Sequence, residues 1–154
     1  MSIYLAALLM GVIAGLRTMT APAAVSWAVH FGWLPLQDTP LAFLGFVATP
    51  YVLTALALGE LVVDQLPATP SRKVPVQFGA RLVSGGFCGA AIGLSGGALI
   101  GGLVAGVIGA IIGTLGGAEA RGRLATVWGR DLPAALLEDV VAVGGAILIV
   151  VAFA

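Results

Sequence analysis

Long apolar stretches separated by short polar ones dominate the pattern along this chain. Since a membrane-spanning helix needs about 20 apolar residues, the pattern predicts five spanning segments. They cover about 3–32, 41–66, two helices within 76–118 that reverse at "LSGGA" (94–98), and 134 to the end. The polar stretches at 33–40, 67–75 and 119–133 are predicted loops, and the last is compatible with a short interfacial helix anchored by Trp128.

Composition supports a membrane protein. The 154 residues are 60% hydrophobic and 9% charged, whereas soluble domains carry about 25% charged residues. We therefore expect one all-α transmembrane domain over 1–154, a compact bundle of about five helices with membrane lipids as partners. Seven basic and seven acidic residues cancel, which argues against a nucleic-acid partner.

The basic residues predict an orientation. Arg72 and Lys73 lie in the 67–75 loop, a further group (Arg121, Arg123 and Arg130) lies in 119–133, and the opposite loops contain no Lys or Arg. The positive-inside rule places both basic loops and the N-terminus in the cytoplasm, as in a multi-pass bacterial inner-membrane protein. The pattern does not decide whether 3–32 spans once or is re-entrant, and a re-entrant segment would change the side of the C-terminus.

Glycines recur at every fourth position in the third and fourth segments. The two rows are Gly85, Gly89, Gly93 and Gly97, and Gly109, Gly113 and Gly117. Small residues at this spacing let helices approach closely in lipid. The rows predict tight packing of these two helices, with a homo-oligomer through the same faces as the alternative.

The first segment contains "GLRTMTAPA" (15–23), which is unusually polar for the middle of a span. Pro22 removes a helical hydrogen bond and clashes with the preceding turn. Thr18 and Thr20 can bond to the freed backbone groups. We therefore expect this helix to be broken between residues 17 and 22, with the positive end of a new helix close to Arg17. Such half-helices form substrate sites in many transporters.

Further charged residues recur within the apolar segments, where charge is costly and tends to mark function. Counting helical rise places five of them in one layer near the cytoplasmic end, with Arg17 deeper: Glu60, Asp64, Arg81, Glu138 and Asp139. Glu60 and Asp64 lie one turn apart and need a cation, a basic partner or a shared proton. No cofactor is predicted, although a divalent cation could bind at Glu60, Asp64 and Glu138.

Several of these motifs resemble a family of small bacterial membrane proteins, domain of unknown function 4126. The similar parts are "GLRTMTAPA", the run from Glu60 to Arg72, "ARLVSGG" around Arg81 and "ED" at 138–139. The resemblance covers most of the chain and implies a polytopic inner-membrane fold without implying an activity. It identifies Arg17, Glu60, Asp64, Pro67, Arg72 and Arg81 as a shared polar signature.

Three functions fit this sequence. The leading hypothesis is a small transporter or channel-like protein for an ion or small charged metabolite. Its site would contain Arg17, Thr18, Thr20, Glu60, Asp64, Arg81, Glu138 and Asp139. The alternatives are a membrane-embedded, metal-dependent enzyme acting on a lipid head group, and a structural or assembly subunit. The absence of a recognisable catalytic motif favours a non-enzymatic role.

Overall fold

The structure is a computed structural model that describes residues 1–66, 71 and 73–154. Helices are the only regular elements in these ranges. Six are α-helices: α1 (Ile3–Leu16), α2 (Thr20–His30), α3 (Ala48–Val63), α4 (Pro75–Ser95), α5 (Leu99–Trp128) and α6 (Asp131–Val151), and a 3-10 helix (Ala42–Gly45) precedes α3. The all-α prediction is confirmed.

The expected number of spanning helices is wrong. Among the described residues, three helices are long and apolar enough to cross a membrane: α4, α5 and α6. The first segment is divided into α1 and α2, of 14 and 11 residues. The second is shortened because its first residues form the 3-10 helix, so that α3 begins only at Ala48. Pro50 lies in the first turn of α3, where proline is tolerated.

The predicted reversal at 94–98 is confirmed, since α4 ends at Ser95 and α5 begins at Leu99. The predicted loop at 119–133 is wrong, because α5 continues to Trp128. Alanine, glutamate, arginine and leucine are strong helix formers, and they extend α5 until Gly129, which adopts a left-handed φ of 67°. The 67–75 loop lies mostly outside the described residues.

Helices α1, α4 and α5 form a tightly packed trio in which glycines bring the backbones together. A Cβ on Gly106 of α5 would overlap the carbonyl oxygen of Gly85 on α4. On the other side of α5, a Cβ on Gly113 would overlap the carbonyl oxygen of Val12 on α1. The predicted tight packing of α4 on α5 is confirmed for Gly85, Gly89 and Gly93, whereas Gly109 and Gly113 pack on α1 instead. The homo-oligomer stays a prediction.

These contacts also fix the directions of the helices. Gly93 faces Gly102 and Gly85 faces Ala110, so α4 and α5 are antiparallel. Lys73, just before α4, therefore lies at the same end of the bundle as the basic residues at the end of α5. At the opposite end, Ile3 packs against Gly96. The expectation that the N-terminus shares a side with the basic residues is therefore wrong. That expectation assumed that 3–32 crosses once.

The remaining helices pack around the trio. Val25 and Ala28 of α2 belong to the same buried cluster as Ala91 of α4 and Ala146 of α6. α2 thus runs back from the break towards the end of the bundle where α1 begins, so 3–32 folds as a helical hairpin and not as one continuous helix. α3 returns antiparallel to α2, and Pro50 and Ala57 are its only buried residues. It is the most peripheral helix.

Candidate functional site

The predicted break in the first segment is confirmed. α1 ends at Leu16, Arg17 is extended (φ −140°, ψ 115°), and α2 begins at Thr20. The Arg17 amide still donates to the carbonyl of Ile13 at 2.8 Å. The other backbone polar groups of the break need partners from elsewhere, because an unpaired group in an apolar bundle costs several kcal/mol.

Glu60 binds the amides of the break. Its Oε1 accepts from the Thr18 amide and its Oε2 accepts from the Met19 amide, each at 2.7 Å. Consecutive amides that point at one anion form a backbone nest. The N-terminal end of α2, which carries about half a positive charge, lies directly behind these amides. The site expected at the break therefore holds a carboxylate of the chain itself.

The carbonyls of the break are bound by two side chains of α4 and one of α5. Arg81 Nη1 donates to the carbonyls of Gly15 and Leu16, both at 2.8 Å. One turn later on α4, the Ser84 hydroxyl donates to the carbonyl of Thr18. The Thr114 hydroxyl also donates to Gly15, at a longer 3.4 Å. Amides and carbonyls of the break thus have separate, charge-matched partners.

Arg17 is fully buried and joins three helices. Its Nε donates to Asp139 Oδ1 of α6 at 2.6 Å, and its Nη1 forms an ion pair with Asp64 at the end of α3. Arg81 Nη2 lies 3.7 Å from the same Asp64 oxygen, and Gln65 Nε2 donates to Asp139 Oδ2 at 2.9 Å. The guanidinium fork therefore bridges two carboxylates that lie 75 residues apart in the sequence.

Glu138 belongs to a separate group of ion pairs centred on Arg121. Its Oε2 is 3.5 Å from Arg121 Nη1 on α5, and Arg121 also binds the exposed Asp131 through two hydrogen bonds. Next to this group is a cavity of about 220 Å³ between α1, α5 and α6. Its other lining residues are mainly apolar and include Leu16, Leu124 and Leu137.

Charges in the central cluster almost balance. Arg17 and Arg81 offset Asp64 and Asp139, which leaves the single negative charge of Glu60 to the backbone nest. The Thr20 hydroxyl is buried and has no hydrogen-bond partner among the described residues. These residues contain no group of three or more His, Cys, Asp or Glu placed to hold a metal. The divalent cation at Glu60, Asp64 and Glu138 stays a prediction.

The structure brings most of the expected site residues together around the break, but they bind different groups. Glu60 and Arg81 bind backbone atoms, Asp64 and Asp139 bind Arg17, and Glu138 pairs with Arg121. Arg17 is not deeper than the acidic layer, because it contacts Asp64 and Asp139 directly. Four contributing residues were not predicted: Ser84, Gln65, Thr114 and Arg121. Ser84 lies three residues after Arg81 on one helical face, and Gln65 follows Asp64, so spacing could have suggested both.

Comparison of the chain with family models, curated proteins and solved structures gave no match. The resemblance to the domain of unknown function 4126 family stays a prediction.

Proposed function

We propose that this protein is a small transporter or channel-like protein of the bacterial inner membrane that moves an ion or small charged metabolite. The observation that carries the proposal is the broken first helix, whose amides hold a carboxylate beside the buried Arg17. Transporters commonly place substrates at such breaks, because the backbone groups there can coordinate charge. The basic segments, 67–75 and 119–133, would face the cytoplasm.

The charge pattern of the site favours an anionic substrate. Amides, a helix N-terminus and an arginine fork all complement negative charge. A cation would instead compete with Arg17 for Asp64 or Asp139, and the buried arginine would lose one of its two carboxylate partners.

Transport can be tested with purified protein in proteoliposomes. Currents would be recorded on solid-supported membranes after concentration jumps of sodium chloride, formate and lactate, with empty liposomes as the blank. We expect an anion-dependent current in the wild type, and a loss of about tenfold or more in Arg17→Lys, since lysine keeps the charge but lacks the planar fork. Absence of current for every anion, from protein that is folded and inserted, would contradict the proposal and favour a structural or assembly role.

The cavity beside Glu138 favours a second candidate, an enzyme or binding protein for a lipid head group. Apolar lining next to the Arg121–Glu138 pair suits an amphiphile whose head group carries charge. Incubation with phospholipid vesicles, followed by mass spectrometry of released head groups, tests this reading. If the phospholipids remain unchanged, the protein is not an enzyme that releases these head groups, and only the binding protein remains of this second candidate.

A further inference from the structure

We propose that the Thr18 and Met19 amides form a binding site for a small monocarboxylate anion, with Glu60 as the built-in ligand that this anion replaces. The inference rests on the proposed transport function and deepens it, because it names the substrate class. It begins from the geometry of Glu60, whose two oxygens each accept one amide hydrogen at 2.7 Å. Any free carboxylate can present the same pair of oxygens.

The position of Glu60 makes it displaceable. It is half-buried, and it lies on α3, the helix with the least buried surface in the bundle. Most apolar side chains of α3, such as Leu56 and Val62, point away from the protein core. Rotation of the Glu60 side chain away from the break therefore disturbs little packing, and it leaves the Asp64–Arg17 ion pair at the end of the same helix in place. The amides themselves are held by α1 and α2, which are much more deeply buried.

A second observation points to a ligand other than Glu60. The Thr20 hydroxyl is 6% exposed and has no partner within the described part of the chain. Thr20 is the first residue of α2, and Cα–Cβ bonds tilt towards a helix N-terminus. The hydroxyl follows the Met19 amide by one residue, and it is a buried donor that Glu60 does not use.

Charge conservation selects a monoanion. With Arg17 and Arg81 offset by Asp64 and Asp139, the nest compensates one negative charge. A monocarboxylate that replaces Glu60 restores that balance, whereas a dianion would add an uncompensated charge in a poorly solvated place. Because Glu60 is tethered at high effective concentration, a free anion binds the wild type more weakly than it binds a chain without this carboxylate.

Chemical rescue tests the site directly. Purified Glu60→Ala is heated with saturating sodium formate, or with sodium chloride at equal ionic strength. We expect formate to raise Tm by about 5 °C over chloride in Glu60→Ala and by less than about 1 °C in the wild type. Glu119→Ala removes an exposed carboxylate of α5 and serves as the matched control without a formate response. Adding Thr20→Val to Glu60→Ala should reduce the formate shift by half or more.

Glu60→Gln gives the same readout if Glu60→Ala does not fold, because the amide side chain preserves volume and removes the charge. A folded Glu60→Ala or Glu60→Gln without a formate-specific shift would overturn the inference. If formate binds the Glu60 variants but wild-type proteoliposomes give no anion-dependent current, transport is refuted and the anion-binding site is still supported. If the wild type gives anion currents but formate binds neither variant, the monocarboxylate site is refuted and transport is still supported.

Discussion

Replacing Arg17 tests whether the central cluster is desolvated. Arg17→Ala leaves Asp64 and Asp139 without their main cationic partner in a buried position, although Arg81 remains 3.7 Å from Asp64. Breaking a buried ion pair by removing one partner costs about 3–5 kcal/mol. For a chain of this size, 1 kcal/mol corresponds to about 2–4 °C in Tm. The expected fall is therefore about 6–20 °C.

The assay is thermal unfolding of detergent-purified protein, followed by tryptophan fluorescence. Arg17→Lys should fall between the wild type and Arg17→Ala, because one ammonium cannot bridge both carboxylates as the fork does. Arg123→Ala is the matched control: Arg123 pairs with Glu119 on the exposed side of α5, and such pairs contribute about 0.3–0.5 kcal/mol. An Arg17→Ala protein that melts together with Arg123→Ala would refute the reasoning, since the carboxylates would then be well solvated.

Two further predictions concern the bundle. Gly106→Ala places a Cβ 2.9 Å from the Gly89 Cα, and since only backbone lies there, we expect a loss of about 1–3 kcal/mol on thermal unfolding. Gly116→Ala in the same helix meets no atom within 4 Å and should stabilise by up to about 1 kcal/mol; equal effects of the two would contradict the packing. Single cysteines at Ser71 and Thr126, in a background without the native cysteine, should react with an impermeant maleimide from one side of the membrane and a cysteine at Ser2 from the other. Labelling of all three from one side would overturn the helix directions.

The break was predictable because its causes are local. An arginine, two threonines and a proline within six residues disfavour a continuous apolar helix whatever surrounds them. The partners of the break were less predictable. That Glu60 binds amides while Asp64 binds Arg17 depends on how α3 is rotated against the break, which the periodicity of an almost uniformly apolar helix does not specify.

Span counting failed for a related reason. Hydropathy measures how long an apolar segment is, but it does not report where the chain turns within that segment. The depth estimate for Arg17 counted upward from a cytoplasmic N-terminus, whereas Ile3 lies at the other end, against Gly96. At 119–133, counting charges suggested a loop, although the individual residues favour helix and only Gly129 ends it.

The contact of α1, α4 and α5 through bare backbone has a mechanical consequence. No flexible side chains separate these helices at the glycines, so nothing there can change rotamer to accommodate sliding. A one-residue shift of α5 would move Ala105 or Val107 into the place of Gly106, where even a methyl group overlaps the neighbouring carbonyl. The trio therefore acts as a rigid frame with a single register. Any movement between helices is therefore left to elements outside the trio, of which α3 has the fewest buried residues.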